Sequence, residues 1–342
     1  MSDKPLRCAV IGAGRMGKHH ARLYARTPGC ELVAVVDPRA DRAGPIVEEW
    51  GGRACTTVEE LPEGVDCATV STPTATHLSV VEALLARRAH CLVEKPLAPT
   101  VDEAQRIAEA AARSGCVLQV GHVVRYDPVM MAIRELKIVQ PRFVEVDRIS
   151  PMTFRSVDVG VVLDMMIHDL DVLLMLMGSE PEEIHANAVS VLGEAEDVCN
   201  ARLIFPAAHG QVRAVANVTA SRLALKTERK MRVIGEDIYV SADFAERRGT
   251  VVRKGANQAR LTEIRQALRE GQDLSGLDYR ELVQIEELVV GAGEPLRLQL
   301  DDFLDAVRSG RRPTVDAQAG FAAVRTAERI VAAARSAGAR MV

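Results

Sequence analysis

The fold is decided by Cys8-Ala9-Val10-Ile11-Gly12-Ala13-Gly14-Arg15-Met16-Gly17, an apolar run that turns on three glycines into the helix-like stretch Lys18–Arg26. G-x-G-x-x-G with a strand before it and a helix after it is a dinucleotide fingerprint. Gly12 permits the tight turn, Gly14 lets backbone amides approach a pyrophosphate, and Gly17 lets the helix close on the sheet. The phosphates would then sit at the helix N-terminus, against Arg15 and Met16. The next apolar run, Leu32–Val36, ends in Asp37, twenty residues after Gly17. An acid there receives the adenosine ribose hydroxyls and repels a 2′-phosphate, so NAD is expected over NADP. Arg39 and Arg42 lie close behind and could hold a phosphate if Asp37 turned away. Glycines alone would also suit an α/β domain that binds something else; the agreement of strand, glycines, helix and acid favours the dinucleotide.

Outward from this turn, short apolar runs continue at Cys67–Val70, Cys91–Val93 and Val117–Val120, separated by Ala-rich helical stretches such as Leu78–Arg88 and Val101–Ser114. Runs apolar on both faces and spaced by helices predict a parallel sheet covered on both sides, a Rossmann-type α/β domain over residues 1–121. After Gly121 the rhythm changes. Phe143–Ile149, Ile184–Leu192, Cys199–Phe205, Val212–Thr219, Lys230–Ile234 and Ile238–Ala242 follow one another with one long helix, Val159–Met177, among them. Strands without crossover helices predict an α+β domain over 122–342 with an open, mostly antiparallel sheet. Gly255–Glu294 is polar, with one helix expected at Leu261–Glu270 and loops around it. Helices at Leu298–Ser309 and Ala317–Ala337 close the chain, and these could pack back on the first domain.

Composition agrees. The 342 residues carry 43 Lys+Arg and 47 Asp+Glu, a formal charge of −4, and 48% are hydrophobic, which suits two domains with cores of their own. Mild acidity and 3% aromatic residues give no field for a phosphate backbone or an anionic membrane, so no nucleic-acid partner is expected. The seven cysteines are odd in number and never spaced C-x-x-C, which points to a reducing cytoplasm rather than to disulfides or zinc. Met1–Arg7 has no signal-peptide order. The apolar stretch Val157–Met177 contains Asp158, Asp164, His168, Asp169 and Asp171, too many charges for a membrane span.

Candidate chemistry sits at strand ends. Ser71-Thr72-Pro73-Thr74-Ala75-Thr76-His77 follows one strand, and Glu94-Lys95-Pro96 follows another. Open α/β sheets bind ligands at that carboxyl edge, so Ser71, Thr72, Pro73, Glu94 and Lys95 are placed near the nicotinamide half of a cofactor. His77 can touch cofactor, cap the next helix or pack beneath it. Within Gly160–Asp171, helical spacing sets Asp164 and His168 on one face, and Asp171 returns to the same stripe. Three readings fit this stripe: satisfied buried hydrogen bonds, a metal site, or an acid/base pair on a substrate hydroxyl. The chain offers no second cluster to complete a metal set, and the nucleotide site upstream favours acid/base work.

Together, the Gly12–Gly17 fingerprint with Asp37, Thr72-Pro73 with His77, Glu94-Lys95-Pro96, and Asp164-x-x-x-His168-Asp169-x-Asp171 resemble the glucose-fructose oxidoreductase and inositol dehydrogenase family, Gfo/Idh/MocA. The resemblance implies a Rossmann domain, a second α/β domain whose sheet joins subunits, and NAD-dependent oxidation of a secondary hydroxyl on a sugar or cyclitol. It places the family's catalytic lysine on Lys95, its aspartate on Asp164 and its histidine on His168, with Lys95 or His168 as the proton acceptor. Arg148-Ile-Ser-Pro151-Met-Thr-Phe154-Arg155 and the run on to Asp164 further resemble the branch that oxidises the 3-hydroxyl of UDP-N-acetylglucosamine, a step toward the amino sugars of lipid A. A diphosphate needs cations, and Arg125, Arg148 and Arg155 adjoin the expected cleft; surface ion pairs are the other reading of each. The alternative substrate is myo-inositol or another free sugar, and the alternative function is a catalytically silent dinucleotide sensor. A homodimer or homotetramer is expected, because an uncovered sheet face buries apolar surface against a second copy.

Overall fold

The computed structural model describes residues 4–138, 141–153, 159–192, 194–207, 212–255 and 258–339. In chain order the elements are β1 (Leu6–Ile11), α1 (Arg15–Arg26), β2 (Cys30–Val36), α2 (Ala40–Trp50), β3 (Arg53–Cys55), β4 (Cys67–Val70), α3 (His77–Ala86), β5 (His90–Val93), α4 (Val101–Ser114) and β6 (Leu118–Val120). They continue with α5 (Pro128–Glu135), β7 (Phe143–Ile149), α6 (Ile167–Met177), β8 (Glu183–Val189), β9 (Val198–Phe205), β10 (Ala214–Ser221), β11 (Glu228–Ile234), β12 (Ile238–Asp243), β13 (Arg248–Lys254), α7 (Gln258–Arg269), β14 (Val283–Glu287), α8 (Pro295–Ser309) and α9 (Ala317–Ser336).

β1 to β6 form one parallel sheet in the order β3-β2-β1-β4-β5-β6, whose direction of winding reverses between β1 and β4. Alternate residues of β1 and of β5 enter different cores, as a sheet covered on both faces requires. Cys8, Val10, Leu32 and Val35 pack with Tyr24 of α1 and Phe303 and Leu304 of α8. Ala9, Ile11, Ala34 and Val36 pack toward Leu84, Ile107, Ile167 and Val324. Full burial of a side chain such as Phe303 stabilises by about 1.5–3 kcal/mol. α4 shows the local logic: Thr100 caps its N-terminus by accepting from Glu103 N, Ala104, Ile107, Ala108 and Ala111 form the buried stripe, and Gly115 closes it in the left-handed region.

The chain folds as two compact units. The first joins the chain up to Tyr126 with Val162–Leu174 and Gly293–Ala332; the second takes Asp127–Val161, Met175–Ala292 and the chain from Ala333. Ile167, and Phe303 and Val324 of the two closing helices, bury their side chains in the cores of the first sheet.

In the second unit, β7 to β14 form an eight-stranded sheet in the order β14-β13-β12-β11-β7-β10-β9-β8, antiparallel except for the β7–β10 pair. Val144 and Val146 of β7 are buried, while Phe143, Glu145 and Asp147 point to the opposite face. The register lines up Ile204, Val215, Phe143, Ile234, Tyr239, Val252 and Ile285 as one apolar row across that second face. The sequence reading does not mark β3, α5 or β13, and it differs in two further places. The stretch after Gly255 holds an edge strand, β14, as well as the expected helix, and the helix expected from Val159 begins with a π-helical turn at Val162–Met166 before α6.

Candidate active site

The glycines of the first turn divide their labour. Gly12 has φ +99°, and a Cβ there would lie 2.6 Å from the Ser71 carbonyl oxygen; one at Gly17 would collide with the Gly12 carbonyl oxygen. A Cβ on Gly14 would meet nothing within 4 Å. Gly14 borders open space at the head of α1, a helix with neither a side-chain cap nor an acid in its first turn. The leading N–H groups of such a helix lack intrahelical partners, and the first intrahelical bond here is Lys18 N to Gly14 O at 2.9 Å. Open volume facing those donors fits a pyrophosphate.

Asp37 ends β2 and is buried. Its Oδ2 accepts from Ala13 N at 2.9 Å and its Oδ1 from Arg39 N at 3.0 Å, tying the glycine turn to the next strand while leaving lone pairs for ribose hydroxyls. The Arg39 guanidinium turns instead to Asp41, Nη2 to Oδ2 at 2.8 Å. Ser71 Oγ donates to Gly12 O at 2.9 Å, fastening the end of β4 to the turn. Thr76 Oγ1 donates to Pro73 O at 2.8 Å and accepts from Thr72 Oγ1 at 2.9 Å.

His77 is almost fully buried. Its Nδ1 lies 3.1 Å from Pro96 O and 3.3 Å from Leu97 O, and its Nε2 lies 3.1 Å from Thr72 O. It clamps the loop after β4 to the loop after β5 and presents neither nitrogen outward. Burial pushes its imidazole below the ordinary range, against the pull of those carbonyls. Of the three readings open for His77, packing beneath the site is the one this geometry describes.

Beyond β5, Lys95 Nζ donates to Asp164 O at 2.6 Å and to Asp164 Oδ1 at 3.1 Å. Asp164 lies in the π-helical turn and offers both its carbonyl and its carboxylate to one ammonium. π-Helical turns recur at functional sites, and apolar periodicity cannot distinguish one from the first turn of an α-helix. The pair is partly exposed, Lys95 at 21% and Asp164 at 34% of their side chains, so both can meet a ligand. His168, half-buried, follows one turn later on α6. A cation, a carboxylate and an imidazole thus come from the loop after β5 and one short segment.

Two histidines absent from the sequence reading join this edge. His20, fully buried on α1, sets Nε2 2.9 Å from Oε1 of Glu94. It lies on the stripe Gly17, His20, Ala21, Tyr24 that faces the sheet, so its helical position could have revealed it. His122, also fully buried, follows β6 and stands edge-on to His168 with ring centroids 6.0 Å apart at 86°. The rule that draws attention to Lys95, position at the carboxyl end of a parallel strand, applies equally to His122.

The arginines fall out differently. Arg125, expected as a cation for substrate, is buried in a two-pronged pair with Asp171, Nε to Oδ2 at 2.7 Å and Nη2 to Oδ1 at 2.6 Å, and its Nη1 donates to Thr314 O. Asp171 is fully buried, so it leaves the Asp164–His168 stripe and the pair is internal to the first unit. A buried carboxylate must be paired, and Arg125 is its partner. Arg148 lies half-buried on β7 in the second unit. Arg155 lies outside the described residues. Among the described residues, no cluster of three or more His, Cys, Asp or Glu is placed to hold a metal, and no helix is long and apolar enough to cross a membrane.

Comparison with known proteins accords with this architecture. Residues 6–122 match the oxidoreductase family's NAD-binding Rossmann fold, and residues 153–341 match its C-terminal alpha/beta domain. The chain is 32% identical over 315 residues to UDP-N-acetylglucosamine 3-dehydrogenase of Acidithiobacillus ferrooxidans, covering 92% of this chain and 93% of that protein. The solved structure of that enzyme superposes with a TM-score of 0.84, covering 96% of this chain and 97% of the other. The myo-inositol 2-dehydrogenase of Thermotoga maritima is 30% identical over 254 residues, 70% of this chain and 75% of that one. The chain belongs to the Gfo/Idh/MocA family, oxidoreductases that use a nicotinamide dinucleotide to act on CH–OH groups.

Proposed function

We propose that this protein oxidises a secondary hydroxyl of a sugar with NAD, and that its substrate is UDP-N-acetylglucosamine, taken to the 3-keto sugar nucleotide. The observation that carries the chemistry is the clasp of Lys95 on Asp164 at the carboxyl edge of the first sheet, with His168 one turn away. Bound NAD supplies the hydride acceptor. His168 takes the hydroxyl proton, and Asp164 orients the site. Lys95 has three donors, two of them on Asp164; the third hydrogen-bonds the reacting oxygen and favours its alkoxide character. The retained proton acceptor argues against a silent sensor, which needs none.

Asp37 favours NAD, because its buried carboxylate opposes a 2′-phosphate and Arg39 is engaged with Asp41. The choice of sugar nucleotide rests on similarity along nearly the whole chain to an enzyme named for it, and we assign Arg148 and Arg155 to the diphosphate. Its ketone product is of the class an aminotransferase converts to an amino sugar. Seven unpaired thiols suit a reducing cytoplasm. The apolar row on the second sheet supports a homodimer or homotetramer formed through that face. The test is NADH formation with UDP-N-acetylglucosamine beside myo-inositol, with an aminotransferase to draw off product. Turnover of the sugar nucleotide is expected; turnover of myo-inositol alone would replace the substrate and keep the chemistry.

A further inference from the structure

We propose that His20 is a positioning residue for the cofactor: it holds the Glu94 carboxylate so that its second oxygen accepts a hydrogen bond from the nicotinamide riboside. This rests on the reading that the nicotinamide half of the dinucleotide lies at the carboxyl edge of β5. Glu94 directly follows that strand and is tied to β4 by its own N–H, Glu94 N to Val70 O at 2.9 Å. Its Oε1 lies 2.9 Å from His20 Nε2, and because a carboxylate only accepts, the imidazole is the donor. A Cβ at Gly121, just past β6, would lie 2.9 Å from Glu94 Oε2 and 3.0 Å from Glu94 Cα, so the bare backbone there gives the acid its place. The carboxylate is thus gripped from α1 and backed by the turn after β6.

Among the described residues, His20 is the one hydrogen-bond partner of this carboxylate, and the Glu94 side chain keeps 13% of its surface exposed. A carboxylate has about four acceptor positions, and one that is mostly buried with a single bond made is under-satisfied. Oε2 is therefore an acceptor open to a donor from a ligand. His20 itself is fully buried, and its Nδ1 has no partner among the described residues, so the bond to Glu94 is its one side-chain bond there. Replacing both members of such a pair by apolar groups would suit a core at least as well. Packing alone does not call for an imidazole on the stripe that also carries Ala21 and Tyr24, whereas the orientation of Oε2 does. The helix whose open head fits the pyrophosphate also sets the acid at the far end of the same cofactor.

The test is calorimetric titration of the full chain with NADH and with ADP, which carries the adenosine and both phosphates but no nicotinamide riboside. His20→Met is expected to raise Kd for NADH roughly tenfold, the scale of a lost charge-assisted bond, and to leave Kd for ADP within about twofold. His20→Gln, whose amide N–H reaches the place of Nε2, is expected to recover most of the NADH affinity; His20→Asn, which is too short, is not. Equal losses for NADH and ADP would mean that the ring merely packs α1, and would overturn the proposal, as would unaltered NADH binding. Should His20→Met fail to fold, equal NADH affinity in the other two variants overturns it. Failure of the underlying reading looks different: unaltered NADH affinity in Glu94→Ala would place that acid away from the cofactor. Weakened NADH binding in Glu94→Ala with none in His20→Met overturns the role of His20 alone.

Discussion

Changing Arg125 to Met strands the Asp171 carboxylate, which is fully buried and held by two charge-assisted bonds of 2.6 and 2.7 Å. Losing one partner of such a pair costs about 3–5 kcal/mol, because the remaining charge stays out of water without compensation. Removing both charges is far milder, since apolar replacement of a buried pair is often neutral. Arg125→Met with Asp171→Leu should therefore recover most of the loss, giving a coupling of about 2–4 kcal/mol in a double-mutant cycle. Urea unfolding followed by circular dichroism measures it. Two compact units need not melt together, so bound-NADH fluorescence should follow the first unit separately. The competing idea, that Arg125 holds the substrate diphosphate, makes the opposite forecast. An Arg125→Met protein within about 0.5 kcal/mol of wild type, with KM for UDP-N-acetylglucosamine raised tenfold, would refute the internal role.

Other expectations concern cofactor and assembly. Asp37→Ser removes a carboxylate expected to meet the ribose, so NAD affinity should drop roughly tenfold or more while NADP gains relative to it; fluorescence titration with the reduced cofactors decides, and an unaltered preference would move ribose recognition elsewhere. Phe143→Asp places a charge in the middle of the apolar row of the second sheet; if that face joins copies as proposed, the variant should be monomeric by light scattering at micromolar concentration where the wild type is not. Persistence of the wild-type assembly would put the interface on another surface.

Much of this architecture is legible in the sequence. β4 and β7 occupy the residues their apolar patterns mark, because both are central strands whose burial leaves a strong signal. β14 is not legible in that way. Val283–Glu287 is an edge strand whose Gln284, Glu286 and Glu287 blunt the alternation, and charges on edges guard against unwanted pairing. β3 spans only Arg53–Cys55 and gives no period to read. At the site, the motif residues Lys95 and Asp164 do meet, since each is set by a nearby strand or helix end. Asp171 misleads: helical spacing places it beside Asp164, but its partner lies 46 residues away in sequence and no local pattern predicts that pairing. The orphaned nitrogens of His122 likewise exist only in three dimensions.

Lys95, Asp164 and His168 are proposed to form a proton-accepting centre beside a nicotinamide. The most direct measurement is the turnover of His168→Ala with UDP-N-acetylglucosamine and NAD, read as NADH absorbance with NAD binding determined on the same protein. A lost general base predicts a kcat lower by about a hundredfold or more with NAD affinity nearly intact. Wild-type turnover in that variant would contradict the account.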